Sequence, residues 1–193
     1  MDLTQGTTQE KQKRAKKMML WFGIISLVMS FAGFTSAFIV SSSREDWLSN
    51  FTLPSAFTYS TLIIILSSVM LFLAKQTLKK KQAAVATSLL IGAFVLGIAF
   101  IYSQIQGFNQ IIASGYNFTG PTSNITMSYI YVIAVVHILH VLAGIICLFV
   151  VIINLLNKKY SHENRLGFDL ASNFWHFVDV LWVYLFFFLY FFN

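Results

Sequence analysis

The stretch "NFWHFVDVLWVYLFFFLY", residues 173–190, combines an apolar run long enough to cross a bilayer with one histidine and one aspartate. His176 and Asp179 stand three residues apart, and a helix places residues at that spacing on one face. Ionisable side chains inside a transmembrane helix are rare and normally face a protein interior, water or a partner. The stretch therefore predicts a membrane-spanning helix that carries a polar spot.

The composition of the whole chain indicates an integral membrane protein. Hydrophobic residues make up 57% of the 193 residues and charged residues only 10%, whereas a soluble domain of this size needs more polar surface. The single cysteine, Cys147, lies in an apolar run and excludes a disulfide framework. The formal charge of +6 falls in short clusters between apolar runs. This pattern is typical of membrane topology and not of a surface that binds nucleic acid.

Five apolar runs predict an all-α, polytopic membrane bundle of five transmembrane helices. The predicted helices span residues 18–40, 54–74, 83–106, 127–156 and 170–192. At about 1.5 Å per residue, each run is long enough to cross a hydrocarbon layer of about 30 Å. We expect residues 1–17 to form a basic cytoplasmic N-terminal segment and residues 18–193 to form one transmembrane domain.

The positions of the basic residues predict the orientation of these helices. All of the 13 lysines and arginines except Arg44 lie in the N-terminal segment, the second-to-third loop or the fourth-to-fifth loop. Loops rich in lysine and arginine remain on the cytoplasmic side. We therefore expect the N-terminus in the cytoplasm and the C-terminus outside.

The polar spot on the last helix is the first candidate site. Trp175 and Trp182 flank the face that carries His176 and Asp179. If the helix begins near residue 170, Asp179 lies about nine residues, or roughly 14 Å, from its cytoplasmic end. That depth suits a lipid headgroup or a contact with another subunit. In the alternative interpretation, His176 satisfies local hydrogen bonds and the tryptophans are interfacial anchors.

A histidine pair on the fourth helix is the second candidate site. His137 and His140 share a face, and Gly144 continues the same stripe. Paired histidines raise the possibility of haem or a metal, but axial haem ligands come from opposite sides of the iron. By the count from the cytoplasmic ends, His140 and Asp179 differ in depth by roughly 10 Å, which disfavours a shared metal site. We expect packing histidines that form interhelical hydrogen bonds, with Gly144 allowing close helix approach; a stand-alone haem-binding or transport protein is the alternative.

Four stretches together resemble a known family. "WHFVDVLWVYLFFFLY" (175–190) and "HILHVLAG" (137–144) resemble the last two helices of cytochrome c oxidase subunit III, the third subunit of haem–copper terminal oxidases. "LPSAFTYSTLIIILSS" (53–68) and "FIYSQIQGF" (100–108) are similar to the second and third helices of its five-helix bacterial form.

The resemblance implies a non-catalytic accessory subunit of an aa3-type oxidase in the bacterial cytoplasmic membrane. Such a complex passes electrons to oxygen and pumps protons, with haem and copper in subunits I and II and no cofactor in this chain. The implied role is to stabilise the catalytic subunit and hold structural phospholipid. A fourth subunit or a respiratory supercomplex would be further partners. A quinol oxidase or nitric oxide reductase complex with the same fold is the alternative.

Under the resemblance, the candidate residues take lipid-binding or helix-packing roles. These candidates are Trp175, His176, Asp179, Trp182, His137 and His140. The chain departs from the family at Leu27, where the resemblance implies a buried glutamate, and near Gly107, where it implies a second acid. We therefore expect one of two situations for Asp179. Either it has lost a partner that the family has at one of these acidic positions, or it pairs with a lipid amine or a neighbouring subunit.

Overall fold

The computed structural model describes residues 7–48, 51–120, 123–157, 159–160 and 165–192. Across these ranges it contains five helices and no β-strand. The helices are α1 (Thr8–Ser41), α2 (Ser55–Lys79), α3 (Ala83–Ala113), α4 (Ile125–Leu156) and α5 (Leu166–Phe191). All five are long and apolar enough to cross a membrane. The prediction of an all-α membrane bundle is confirmed.

The first helix starts ten residues earlier than its apolar run. Thr7 and Glu10 form a capping box, in which the Thr7 hydroxyl accepts from the Glu10 amide and the Glu10 carboxylate accepts from the Thr7 amide. This arrangement satisfies two amides that the first turn would otherwise leave unpaired. Residues 8–17, expected to belong to a separate basic segment, therefore continue α1 as a polar extension.

The fifth helix also starts earlier than predicted, at Leu166 instead of near residue 170. Asp169 lies in its first turn, where a negative charge is favourable. The Asp169 carboxylate accepts from Lys75 of α2 at 3.1 Å and lies 3.5 Å from the Arg165 guanidinium. These ion pairs attach the start of α5 to the end of α2.

Helices α2, α3, α4 and α5 form a four-helix bundle, and α1 lies outside it. α2 packs against α3 and α5, and α4 packs against the same two helices from the other side. α1 contacts α4 and α5. The α2–α3 pair has the most extensive contact, because a tight turn joins the two helices, with Lys81 in the left-handed region at φ 61°.

The two loops with few basic residues lie together at one end of the bundle. The Leu48 amide donates to the Thr126 hydroxyl at 3.0 Å, and the Asn124 side-chain amide donates to the Asp46 carbonyl at 3.3 Å. The same Asn124 side chain caps α4 by accepting from the Thr126 amide. The α2–α3 turn, with its lysines, lies at the opposite end.

Candidate functional site

The two tryptophans of α5 lie inside the bundle. Trp175 is 1% exposed and Trp182 is fully buried. The Trp175 indole donates to the Ser67 hydroxyl at 3.2 Å, and the Trp182 indole donates to the Thr61 hydroxyl at 3.0 Å. Both acceptors belong to α2, so these bonds tie α5 to α2. The alternative interpretation of the tryptophans as interfacial anchors is wrong.

The Trp175 ring fits between two glycines of neighbouring helices. A Cβ atom at Gly97 of α3 would lie 2.6 Å from Trp175 Cη2, and one at Gly144 of α4 would lie 2.9 Å from Trp175 Cε3. Real Cβ contacts are longer than this, so both positions require the absence of a side chain. At Gly144, where we expected close approach of a neighbouring helix, the space is occupied by an aromatic side chain of α5.

His176 and Asp179 line a groove on the outer surface between α2 and α5. The groove has a volume of about 450 Å³. Its lining consists of Ile65, Ser68, Val69, Phe72, His176, Asp179, Val180 and Val183. His176 Nδ1 and the Ser68 hydroxyl are 2.6 Å apart and share a hydrogen bond.

Asp179 forms the buried floor of this groove. The residue is 3% exposed, and neither carboxylate oxygen has a hydrogen-bond partner among the described residues. His176 Nε2 also lacks one there. An aspartate at a helix centre costs about 2.5–3.5 kcal/mol on insertion into a membrane. Both Asp179 oxygens and His176 Nε2 therefore lack a hydrogen-bond partner that the described residues could supply.

Asp179 lies near the middle of the membrane-spanning helices. It follows Leu166, the first residue of α5, by thirteen residues and precedes the end of the helix by twelve. Its neighbour Ser68 has a similar central position in α2. Measured along α5, Asp179 lies thirteen residues, or roughly 20 Å, from the first helical residue, and not nine, because the helix begins at Leu166. A central position in a hydrocarbon layer of about 30 Å is about 15 Å from the headgroups on either side.

Position 27 lies on a helix outside this groove. Leu27 belongs to α1, which packs against α4 and α5, whereas the groove lining belongs to α2 and α5. Leu27 is therefore not one of the described residues that line the groove, and the loss of a partner for Asp179 stays a prediction.

The two histidines of α4 contact other helices through their rings. His137 is fully buried, with its ring centroid 5.1 Å from Trp182 and 6.0 Å from Phe100. Neither of its nitrogens has a hydrogen-bond partner in the described part of the chain. His140 Nδ1 bonds to the Val136 carbonyl of its own helix at 2.7 Å. Within the described residues neither histidine forms an interhelical hydrogen bond, so that expectation stays a prediction.

His140 and Asp179 lie at similar depths but on different sides of the bundle. Trp175 packs against Gly144 and Trp182 packs against His137, which brings the intervening His140 and Asp179 to a common level. The predicted offset of roughly 10 Å is thus wrong. His140 packs against Phe31 of α1, whereas Asp179 faces the α2 groove. Within the ranges described, no group of three His, Cys, Asp or Glu side chains is placed to hold a metal.

The residues that sequence reasoning missed are the hydroxyl groups of α2. Thr61, Ser67 and Ser68 bond to Trp182, Trp175 and His176, respectively. Ser60 accepts from the buried Gln104 amide of α3 at 2.8 Å. The available signal was the pair of hydroxyl dipeptides, residues 60–61 and 67–68, separated by two helical turns in an otherwise apolar helix.

A second groove lies between α1, α4 and α5. It also has a volume of about 450 Å³ and an apolar wall. The lining residues are Leu20, Ala143, Ile146, Cys147, Val150, Val151, Tyr160, Gly167, Leu170, Ala171 and Phe174. Tyr160 and Gly167 place one end of this groove beside the α4–α5 connection.

These features define a multi-pass helical membrane protein whose last helix is fixed to the bundle by two buried tryptophans and borders an outer groove with a polar floor. A family model described as Cytochrome c oxidase subunit III matches residues 3–193. The chain belongs to this family and is the third subunit of a haem–copper oxidase of respiratory electron transport. The resemblance of the sequence to this family is confirmed.

Similar proteins come from two types of oxidase. The cytochrome bo(3) ubiquinol oxidase subunit 3 of Buchnera aphidicola subsp. Acyrthosiphon pisum is 24% identical, over 97% of this chain and 92% of that protein. The corresponding subunit of Pseudomonas aeruginosa is 31% identical over 65% of this chain and 59% of that protein. The cytochrome c oxidase subunit 3 of Rhipicephalus sanguineus is 29% identical over 90% of this chain and 69% of that protein.

Proposed function

We propose that this chain is the non-catalytic subunit III of an aa3-type oxidase in a bacterial cytoplasmic membrane. Its role is to stabilise the catalytic subunit, while haem and copper reside in subunits I and II. The observation that supports this role is that the residues of the family motifs make packing contacts between helices. The indole N–H groups of Trp175 and Trp182 donate hydrogen bonds to α2, and His137 packs between aromatic rings. These residues hold the helices together and leave the outer surface for neighbours.

The test of this proposal is purification of the intact complex through a tag on this chain. Mass spectrometry should find haem–copper subunits, and the spectrum and extracted haem of the complex should identify haem A. Oxygen consumption should follow addition of reduced cytochrome c. A chain that purifies alone from gently solubilised membranes would overturn the proposal.

A quinol oxidase is the second candidate, because relatives named as bo(3) ubiquinol oxidase subunits match this chain over nearly its full length. In that case the purified complex oxidises a quinol and not reduced cytochrome c. Parallel oxygen-consumption assays with the two donors on the same preparation separate the candidates.

We also propose that the apolar groove between α1, α4 and α5 holds an acyl chain of a structural phospholipid. Its apolar wall and its end near the α4–α5 connection support this occupant. A Cys147→Phe substitution fills the groove, and the purified complex should then retain less phospholipid. Leu139→Phe is the matched control, because Leu139 is exposed on the same helix and does not line this groove. Equal lipid retention in both variants would contradict the assignment.

A further inference from the structure

We infer that the groove between α2 and α5 is the docking surface for a transmembrane helix of another subunit of the oxidase, and that this helix donates a hydrogen bond to the Asp179 carboxylate. The inference rests on the proposed function, because it requires that the chain is part of a complex.

The first argument is that the buried Asp179 carboxylate in the groove lacks a hydrogen-bond partner. Asp179 is more than nine-tenths buried, lines the groove and has no hydrogen-bond partner among the described residues. A buried polar group without a partner is strongly unfavourable in hydrocarbon, and polar side chains in membranes bond across helix interfaces. The missing group is therefore an N–H or O–H donor.

The second argument is the depth of the carboxylate. Asp179 and Ser68 lie near the centres of α5 and α2. Acyl chains occupy this level of a bilayer, and an acyl chain has no hydrogen to donate to a carboxylate. A side chain on a membrane-spanning helix reaches this level without distorting the bilayer. The depth therefore favours a protein partner over a lipid headgroup.

The third argument is the layout of the surface around the carboxylate. The rim of the groove is apolar and exposed, with Val180 67% accessible and Ile65, Val69 and Phe72 also exposed. Helix–helix interfaces in membranes combine van der Waals packing with hydrogen bonds of polar side chains across the helices. The groove thus offers packing for a helix and one polar anchor.

The nearby cation of this chain does not supply the donor. Lys75 lies toward the end of α2 that leads into the α2–α3 turn, where its ammonium group pairs with Asp169 at 3.1 Å. The Ser68 hydroxyl lies 2.6 Å from His176 Nδ1 and also neighbours Asp179, but it forms no hydrogen bond of good geometry with either Asp179 oxygen. α1 packs on the other side of α5 and contributes no lining residue.

The test is site-specific photocrosslinking in the intact oxidase within its native membrane. The photoreactive amino acid benzoylphenylalanine replaces Val180 on one wall of the groove or Val69 on the other, with Asp179 unchanged. Both positions should crosslink to the same peptide of another oxidase subunit, whereas the probe at Leu139 on α4 should not yield that peptide. Adducts with lipid alone, or with a second copy of this chain, would overturn the inference.

Substitutions at Asp179 provide the second measurement. Asp179→Leu should weaken retention of the crosslinked subunit in detergent by about 3–18-fold, the range for loss of one interhelical hydrogen bond in a membrane protein. Asp179→Asn keeps an acceptor oxygen and should retain most of the partner. If the Asp179→Leu variant retains the partner subunit as well as the wild-type chain does, the carboxylate does not contribute to docking. If the wild-type chain copurifies with no oxidase subunit, the proposed function fails; if it copurifies but crosslinks only to lipid, the inference alone fails.

Discussion

At the residue scale, Trp175 shows how this bundle achieves close packing without a large apolar driving force between helices in lipid. Its ring is held between Gly97 and Gly144, and its indole N–H bonds to Ser67. Small residues allow the backbones of three helices to approach one aromatic side chain, and the hydrogen bond fixes the ring. The same pattern recurs at Gly107, where the Phe57 ring occupies the space of a Cβ.

Gly97→Ala should therefore destabilise the protein. The new Cβ meets the rigid Trp175 ring, and overpacking of this kind costs about 1–3 kcal/mol. The measurement is the free energy of unfolding in mixed detergent micelles. Gly33→Ala is the matched control, because nothing lies within 4 Å of a Cβ at that helical glycine. Equal losses in the two variants would show that the Trp175 contact is not the cause.

Thr61→Val should lower stability through a different mechanism. It leaves the Trp182 indole N–H without its acceptor while keeping the volume of the side chain. Interhelical hydrogen bonds in membrane proteins contribute about 0.6 kcal/mol on average and up to about 1.7. The same unfolding assay serves, together with the fluorescence of Trp182. For Thr77→Val, in which the hydroxyl bonds only to carbonyls of its own helix, we expect a smaller effect.

At the element scale, α1 differs from the other four helices. It contacts α4 and α5 alone, through side chains such as Phe31 and Phe38. The Tyr184 hydroxyl of α5 donates to Thr35 at 3.3 Å, and Ser41 bonds to Tyr129 of α4 at 2.8 Å. After this last contact, the chain turns through a loop in which Trp47 packs edge-on against Phe38 at 4.8 Å.

The order of this loop should depend on pH. The Arg44 guanidinium donates two hydrogen bonds to the Asp46 carboxylate and holds the pKa of that carboxyl below its ordinary value. A lowered folded-state pKa gives stability that is complete above the unfolded value of about 3.9 and is lost as the pH falls through the folded value. The fluorine spectrum of 5-fluorotryptophan at position 47 should thus broaden only in acid. Asp46→Asn should remove this acid transition, and an unchanged transition in the variant would contradict the assignment.

At the scale of the whole molecule, the two ends of the bundle differ in charge. The loops that carry Asp46 and Asn124 meet at one end, and the lysine-bearing α2–α3 turn lies at the other. The contacts establish which loops share an end, and the distribution of basic residues predicts that the lysine-bearing end is cytoplasmic. This orientation is a prediction that labelling can test.

Membrane-impermeant maleimide should label Ser43→Cys from outside intact spheroplasts and should not label Lys80→Cys. Both variants are made in a Cys147→Ala background. Lysis of the spheroplasts should make the cysteine at position 80 reactive, which provides the control for accessibility. The opposite labelling pattern would reverse the orientation.

The sequence alone determined the fold class and the number of helices, because the length of an apolar run decides whether it can cross a bilayer. It also indicated the family, through the stretches that resemble it. It also indicated that residues 173–190 hold the polar site. Helix ends were less predictable, since the capping box at Thr7 and the Asp169 ion pairs extend helices into polar sequence.

Only the tertiary structure decided which neighbours the candidate residues face. Helical periodicity placed His176 and Asp179 on one face of α5 but did not show that α2 borders that face or that α1 lies elsewhere. The same limit applied to Trp175 and Trp182, whose acceptors are hydroxyl groups more than 100 residues away in the chain. The partner of a side chain depends on how helices are rotated and arranged, and packing across the whole bundle sets that arrangement.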